Sequence, residues 1–134
     1  FIDEEGHILG RHQGLACYTI GQRKNLGVSF GSRMFVLAID PETNRVVVGS
    51  NDDLFTRNVM TDSNYFTDGA LRTQPFAAEV KLRSGATPAK AMFHPLERGR
   101  GKLVFEADQR AVTPGQCAVY YHGDKVLGGG IIQR

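Results

Sequence analysis

Two groups of polar, donor-bearing side chains have types and spacing suited to chemistry, and in both it is the chemistry of recognition. Gln22-Arg23-Lys24 lies between Gly21 and Gly27 in a stretch too glycine-punctuated to be a core element. Arginine offers a planar fork for phosphate, lysine a point charge, and glutamine both a donor and an acceptor. The loop therefore suits a contact with an RNA body or with another domain, and a merely solvated loop is the plain alternative. The second group is Lys81 and Arg83, two residues apart, together with Gln116, which follows Thr113-Pro114-Gly115. These could read a phosphate and a hydrogen-bonding group, or could be an ordinary charged strand face.

Bond-making chemistry finds less support. A phosphate loop needs G-x-x-x-x-G-K-[ST] between a strand and a helix, but Gly128-Gly129-Gly130 sits in a strand pattern with no helical segment after it. Such glycines mark a bulge or a close backbone approach. His7, His12, His94 and His122 show no metal-ligand spacing, so no metal site is assigned. Cys17 and Cys117 form no C-x-x-C pair, and His12 with Cys17 lacks an orienting group. Both thiols are read as buried or incidental, and no catalytic residue is assigned.

The elements that must carry these side chains are strands. Pro114 and Gly115 fit the two central positions of a type II turn, which presents Gln116 at a loop tip. Around it Val112, Cys117, Val119, Tyr121, Leu127 and Ile131 alternate at period two and are read as the face toward the core. In Ala78 to Arg83, Ala78, Val80 and Leu82 are expected inside, leaving Glu79, Lys81 and Arg83 outside. Earlier, Arg33 to Asp40 and Arg45 to Gly49 form a hairpin around Pro41-Glu42-Thr43-Asn44. Residues 1–14 suggest another hairpin, and Leu15 to Gly27 one or two short helical turns within a loop. From Asn58 onward short strands recur: Asn58 to Phe66, Phe76 to Arg83, Ala89 to His94, Lys102 to Ala107, Cys117 to Tyr121 and Val126 to Ile132. Turn residues separate them, as in a small all-β barrel or sandwich. The chain is thus mainly β, with a boundary near Thr56 dividing residues 1–56 from 57–134.

Charge supports the same division. The 134 residues carry a net +2, but residues 1–56 hold five basic against seven acidic residues, a balance of −2, while residues 57–134 hold 11 against 7, a balance of +4. The second part is compatible with a polyanionic partner. No apolar run reaches the roughly 18 residues of a membrane span and no signal segment opens the chain, so a soluble, cytoplasmic protein without a membrane partner is expected. The opening at Phe1, in mid-pattern, reads as a fragment of something longer.

Several ordered blocks resemble one family. His12-Gln13-Gly14-Leu15, Tyr18 to Gly27 (Y-T-I-G-Q-R-K-N-L-G), Asn44 with Val46-Val47-Val48-Gly49, Ala111 to Gln116 (A-V-T-P-G-Q) and Gly128 to Ile132 (G-G-G-I-I) are similar to the C-terminal half of the tRNA-specific 2-thiouridylases. The resemblance implies a small central β-rich domain followed by a six-stranded antiparallel β-barrel similar to the second domain of elongation factor Tu. It implies an enzyme that uses ATP and magnesium to adenylate the wobble uridine of tRNA, then replaces the activated oxygen with persulfide sulfur. The family's ATP loop of S-G-G-x-D-S type has no counterpart here, and its two catalytic cysteines match neither Cys17 nor Cys117. The fragment alone is therefore expected to be inactive and without a cofactor. Its implied partners are tRNA, an N-terminal ATP-binding catalytic domain and a sulfur-donor protein. Carried over by motif, the tRNA contacts are Arg83, Ser84 and Gln116, with Ser84 standing where the family usually has tyrosine. Asn25 likewise replaces a glycine, and asparagine tolerates the left-handed conformation better than most residues. A barrel of translation-factor type that binds protein and never touches RNA is the competing function.

Overall fold

The computed structural model describes residues 1–27, 31–70, 72–83 and 85–133. Contacts divide the chain into two compact units, Phe1–Phe55 and Thr56–Arg134.

In the first unit β1 (Phe35–Asp40) pairs antiparallel with β2 (Arg45–Gly49). The turn between them holds because Asp40 accepts hydrogen bonds from the Glu42 amide at 3.0 Å and the Thr43 hydroxyl at 2.8 Å, while Asn44 takes φ 55°. Phe1, Tyr18, Leu26, Val36, Val46 and Val48 make the core of this unit. The hairpin expected over residues 1–14 is present in short form: Ile2 and Ile8 make an antiparallel bridge, the Asp3 amide donates to the His7 carbonyl at 3.1 Å and the Leu9 amide to the Phe1 carbonyl at 2.9 Å. Ile2 also hydrogen-bonds β2, its amide to the Val46 carbonyl and its carbonyl to the Val48 amide, both at 2.9 Å. Leu15–Cys17 is a single 3₁₀ turn.

The second unit is a closed six-stranded barrel. Its strands are β3 (Phe55–Phe66), β4 (Phe76–Lys81), β5 (Ala89–Pro95), β6 (Gly101–Arg110), β7 (Cys117–His122) and β8 (Lys125–Ile132), in the order β3-β6-β5-β4-β7-β8. Ala78 and Val80 point inward as alternation requires and Leu82 packs against the same core, although β4 stops at Lys81 and Leu82 and Arg83 lie in the bend beyond it. Phe66, Phe76, Phe93 and Tyr120 pack as an aromatic cluster with ring centroids 5.1–6.1 Å apart.

Of the residues expected to face the core, Val112 and Leu127 do pack against it, but elsewhere in β7 and β8 the inward face is the opposite of the one expected. Ala118, Tyr120, Gly128, Gly130 and Ile132 are buried, while Cys117 and Ile131 are exposed and Val119 and Tyr121 are half-buried. Both faces of β7 carry apolar side chains, Cys117, Val119 and Tyr121 on one and Ala118 and Tyr120 on the other, so alternation alone does not choose between them, and β3 supplies the polar partner that lets Tyr120 turn inward. Ser63 sits at φ 52° and the β3–β8 register slips by one residue between Asp62 and Tyr65, a bulge that changes the inward set from Val59 and Thr61 to Asn64 and Phe66. Asn64 then meets Tyr120, whose hydroxyl donates to Asn64 Oδ1 at 2.5 Å and lies 3.2 Å from Thr61 Oγ1. With its polar end satisfied, a tyrosine can occupy the interior. The glycines opposite make room: a Cβ at Gly128 would strike the Tyr65 carbonyl, one at Gly129 would lie 2.7 Å from the Ala118 carbonyl oxygen, and one at Gly130 would strike the Asn64 amide.

Candidate nucleic-acid interface

The expected turn is present. Gly115 has φ 90°, the Gln116 amide donates to the Thr113 carbonyl at 3.3 Å, and the Thr113 hydroxyl ties back to the Ala111 carbonyl at 3.0 Å. The turn is anchored to β8, since the Gly115 amide donates to the Ile132 carbonyl and the Ile132 amide to the Gln116 carbonyl, both at 2.8 Å. The backbone of Gln116 is therefore fixed while its side chain stays exposed.

Beside this turn lies the outer face of the β4–β7 pair, in which Lys81 is opposite Val119 and Glu79 opposite Tyr121. Lys81, Arg83, Gly85, Gly115, Gln116, Cys117, Val119 and Tyr121 enclose a shallow cleft of about 610 Å³. Two cations and an amide thus stand around an apolar floor, and no carboxylate is among the lining residues. Arg83 donates from Nη2 to the Arg110 carbonyl at 3.3 Å, which steadies the guanidinium and leaves most of its N–H groups for a ligand. Lys81 Nζ lies 5.3 Å from the centre of the Tyr121 ring. Chemically, the cleft can bind a phosphate and a flat, hydrogen-bonding ring.

Arg83 and Gln116 therefore share one cleft, 33 positions apart in sequence. Ser84 lies outside the described residues. Tyr121, Val119 and Cys117 also line the cleft, although their alternation pointed to the core. The available signal was the Tyr120-Tyr121 pair, of which only one ring can face inward. Both cysteines are free and exposed, which leaves the incidental one of the two alternatives read for them; position 117 belongs to the outer face of the barrel.

Gln22, Arg23 and Lys24 belong to the other unit. Gln22 is spent on the loop itself: its Oε1 accepts the Thr19 amide and its Nε2 donates to the Lys24 carbonyl, both at 2.9 Å. Arg23 and Lys24 are exposed. Asn25 has φ 60°, the left-handed conformation that its replacement of glycine required, and Leu26 behind it is buried. Asp3, Glu5 and His7 bring ligand-type atoms within 4.8 Å of one another on an exposed turn. The turn's own bonds explain that grouping, since Asp3 accepts from the His7 amide at 2.8 Å and pairs with His7 Nδ1 at 2.9 Å. Those contacts, the backbone bond first, hold the Asp3 carboxyl below its usual range.

A closed antiparallel barrel carrying an exposed basic cleft, preceded by a small β unit, defines a class. Residues 56–132 match the aminomethyltransferase β-barrel domain, and residues 1–50 match the tRNA methyl transferase PRC-barrel domain. Along its length the chain is 48% identical over 134 residues to the tRNA-specific 2-thiouridylase MnmA of Clostridium botulinum strain Alaska E43 and to that of Clostridium perfringens, and 45% identical to that of Acetivibrio thermocellus. It belongs to the tRNA-specific 2-thiouridylase family and corresponds to the C-terminal portion of these relatives. In each case 99% of the chain is aligned, spanning 37% of the relative's length.

The one glycine run lies within β8 with backbone and side chains packed against it, and forms no cradle for phosphates.

Proposed function

We propose that this chain is the tRNA-binding C-terminal portion of an ATP-dependent tRNA 2-thiouridylase, a sulfurtransferase acting on the wobble uridine. The observation that carries the reading is the convergence of Arg83, Lys81 and Gln116 on one cleft with no carboxylate among its described lining residues. Arg83 meets a phosphate, Gln116 hydrogen-bonds a base, sugar or phosphate oxygen, and the barrel holds the first in the bend after β4 and the second on an anchored turn. Its contribution is positioning: it fixes the RNA so that chemistry elsewhere in the enzyme meets the right nucleotide. ATP, magnesium, the catalytic cysteines and a sulfur-donor protein are assigned to the rest of the enzyme, and the fragment alone has no thiolation activity. A cytoplasmic location goes with the same reading. Arg23 and Lys24 are proposed to touch the tRNA body or the junction with the catalytic domain.

Binding of unmodified tRNA by the full-length enzyme across a salt series tests this. Arg83→Ala is expected to weaken binding and reduce the magnitude of the log K against log salt slope by roughly 0.7 to 0.9, the change for one lost phosphate contact. Gln116→Ala is expected to cost about 1 kcal/mol with the slope unchanged. Wild-type binding by both folded variants would leave the protein-binding barrel as the better account.

A further inference from the structure

We infer that the opposite end of the barrel carries a second RNA-backbone site, built from Arg72, Arg98 and Arg100. The inference rests on the tRNA reading above and extends it to a surface with which none of the resemblance-derived contacts is associated.

The loop between β5 and β6 is Leu96-Glu97-Arg98-Gly99-Arg100. It is a tight turn in which Arg98 at φ 60° and Gly99 at φ 71° are both left-handed, closed by the Leu96 amide on the Arg100 carbonyl at 2.9 Å. Asn64 fastens the turn to the barrel by donating from Nδ2 to the Gly99 carbonyl at 2.9 Å. Both arginines are exposed, and neither makes an ion pair among the described residues.

Across a cleft of about 180 Å³ stands Arg72, held differently. Its guanidinium lies 4.4 Å above the centre of the Phe66 ring, and Nη1 bonds Asp68 Oδ1 and the Ala70 carbonyl, each at 3.0 Å. One fixed guanidinium therefore faces two unpaired ones. The nearby carboxylates are Asp68, already bonded to Arg72, and Glu97, within the turn. Arginine forks match phosphate oxygens two at a time, and a rigid partner reduces the ordering cost of the contact.

Position favours the RNA backbone as ligand. The Phe76 end of β4 pairs with Phe93, beside this cleft, and the Lys81 end borders the other cleft. Five residue steps of strand separate them by roughly 17 Å, a distance that a few base pairs of a folded RNA can span. A folded RNA can thus touch both ends of one rigid barrel.

The test is a salt series with unmodified tRNA and the full-length enzyme, comparing Arg98→Gln/Arg100→Gln, Arg98→Lys/Arg100→Lys and Arg83→Ala. Arg98 already bears the left-handed φ, so glutamine adds no backbone strain. The glutamine pair is expected to weaken binding roughly 10-fold near 0.1 M salt and to reduce the slope by about 1.4 to 1.8, two phosphate contacts' worth. The lysine pair should keep the wild-type slope. If the glutamine pair binds like wild type while Arg83→Ala weakens binding, the second site is wrong and the first cleft stands. The reverse result supports the second site and removes the first. If the lysine pair loses as much slope as the glutamine pair, charge is not the cause and the inference falls.

Discussion

Tyr120→Phe removes one oxygen atom from the barrel interior, and both its cost and the pH dependence of that cost can be worked out. The lost hydroxyl donates to Asn64 Oδ1 at 2.5 Å, which retains the Thr61 hydroxyl at 3.2 Å as a partner. The acceptor is therefore weakened rather than orphaned, and about 1 to 2 kcal/mol is expected at neutral pH. For a unit of this size that lowers Tm by roughly 4 to 16 °C. Burial raises the Tyr120 pKa from 10.0 to about 12, against a smaller opposing effect of the Thr61 hydrogen bond. Because the folded pKa lies above the unfolded one, the neutral phenol's contribution is intact below pH 10 and is lost as pH climbs toward 12. In that window the unfolded chain releases a proton that the folded chain retains, so wild type loses about 1.4 kcal/mol per pH unit through this group. Phenylalanine has no such loss. The two stabilities should therefore converge and cross near pH 11. Urea unfolding of both proteins from pH 7 to 11.5 measures this, and a difference that stays constant across the range would show that the fold does not hold this phenol neutral.

Gly128→Ala drives a methyl into the Tyr65 carbonyl and the Phe66 backbone. Roughly 3 kcal/mol of destabilisation is expected, seen as a large fall in Tm of the barrel, whereas a neutral effect would mean that β3 moves aside freely. Replacing Arg23 and Lys24 with alanine is expected to raise the apparent KM for tRNA in the full-length enzyme and to leave that for ATP unchanged. An unaltered tRNA KM assigns the loop to scaffold alone.

Much of this architecture could be read from local pattern. Asp40-Pro41-Glu42-Thr43-Asn44 set the first hairpin because its side chains bond their own turn. Ala78 and Val80 fixed the face of β4 because nothing interrupts their alternation. The parity of β7 and β8 could not be read this way, since both faces of β7 are apolar and the choice rests on a hydroxyl that finds Asn64 only in the folded barrel. The same limit affected the candidate site. Arg83 and Gln116 were identifiable from residue type and motif, but Tyr121 and Val119, which floor their cleft, were assigned to the wrong side. The arginines of the β5–β6 loop read only as turn residues, because their grouping with Arg72 exists solely through closure of the barrel.

The contrast between a closed barrel and a two-stranded sheet also bears on self-association. A barrel offers no unpaired row of amides and carbonyls to a passing strand, whereas two isolated strands offer two such edges. In the first unit both are occupied locally. Ile2 bonds along β2, and on β1 the Gly21 amide donates to the Val36 carbonyl at 2.7 Å while the Val36 amide donates to the Gln22 carbonyl at 2.9 Å. The loop that carries Arg23 and Lys24 is thereby also a guard against strand addition. Loosening its Gly21-Gln22 segment would uncover a β-rich edge, so aggregation would be a consequence of damage there even where RNA is not involved.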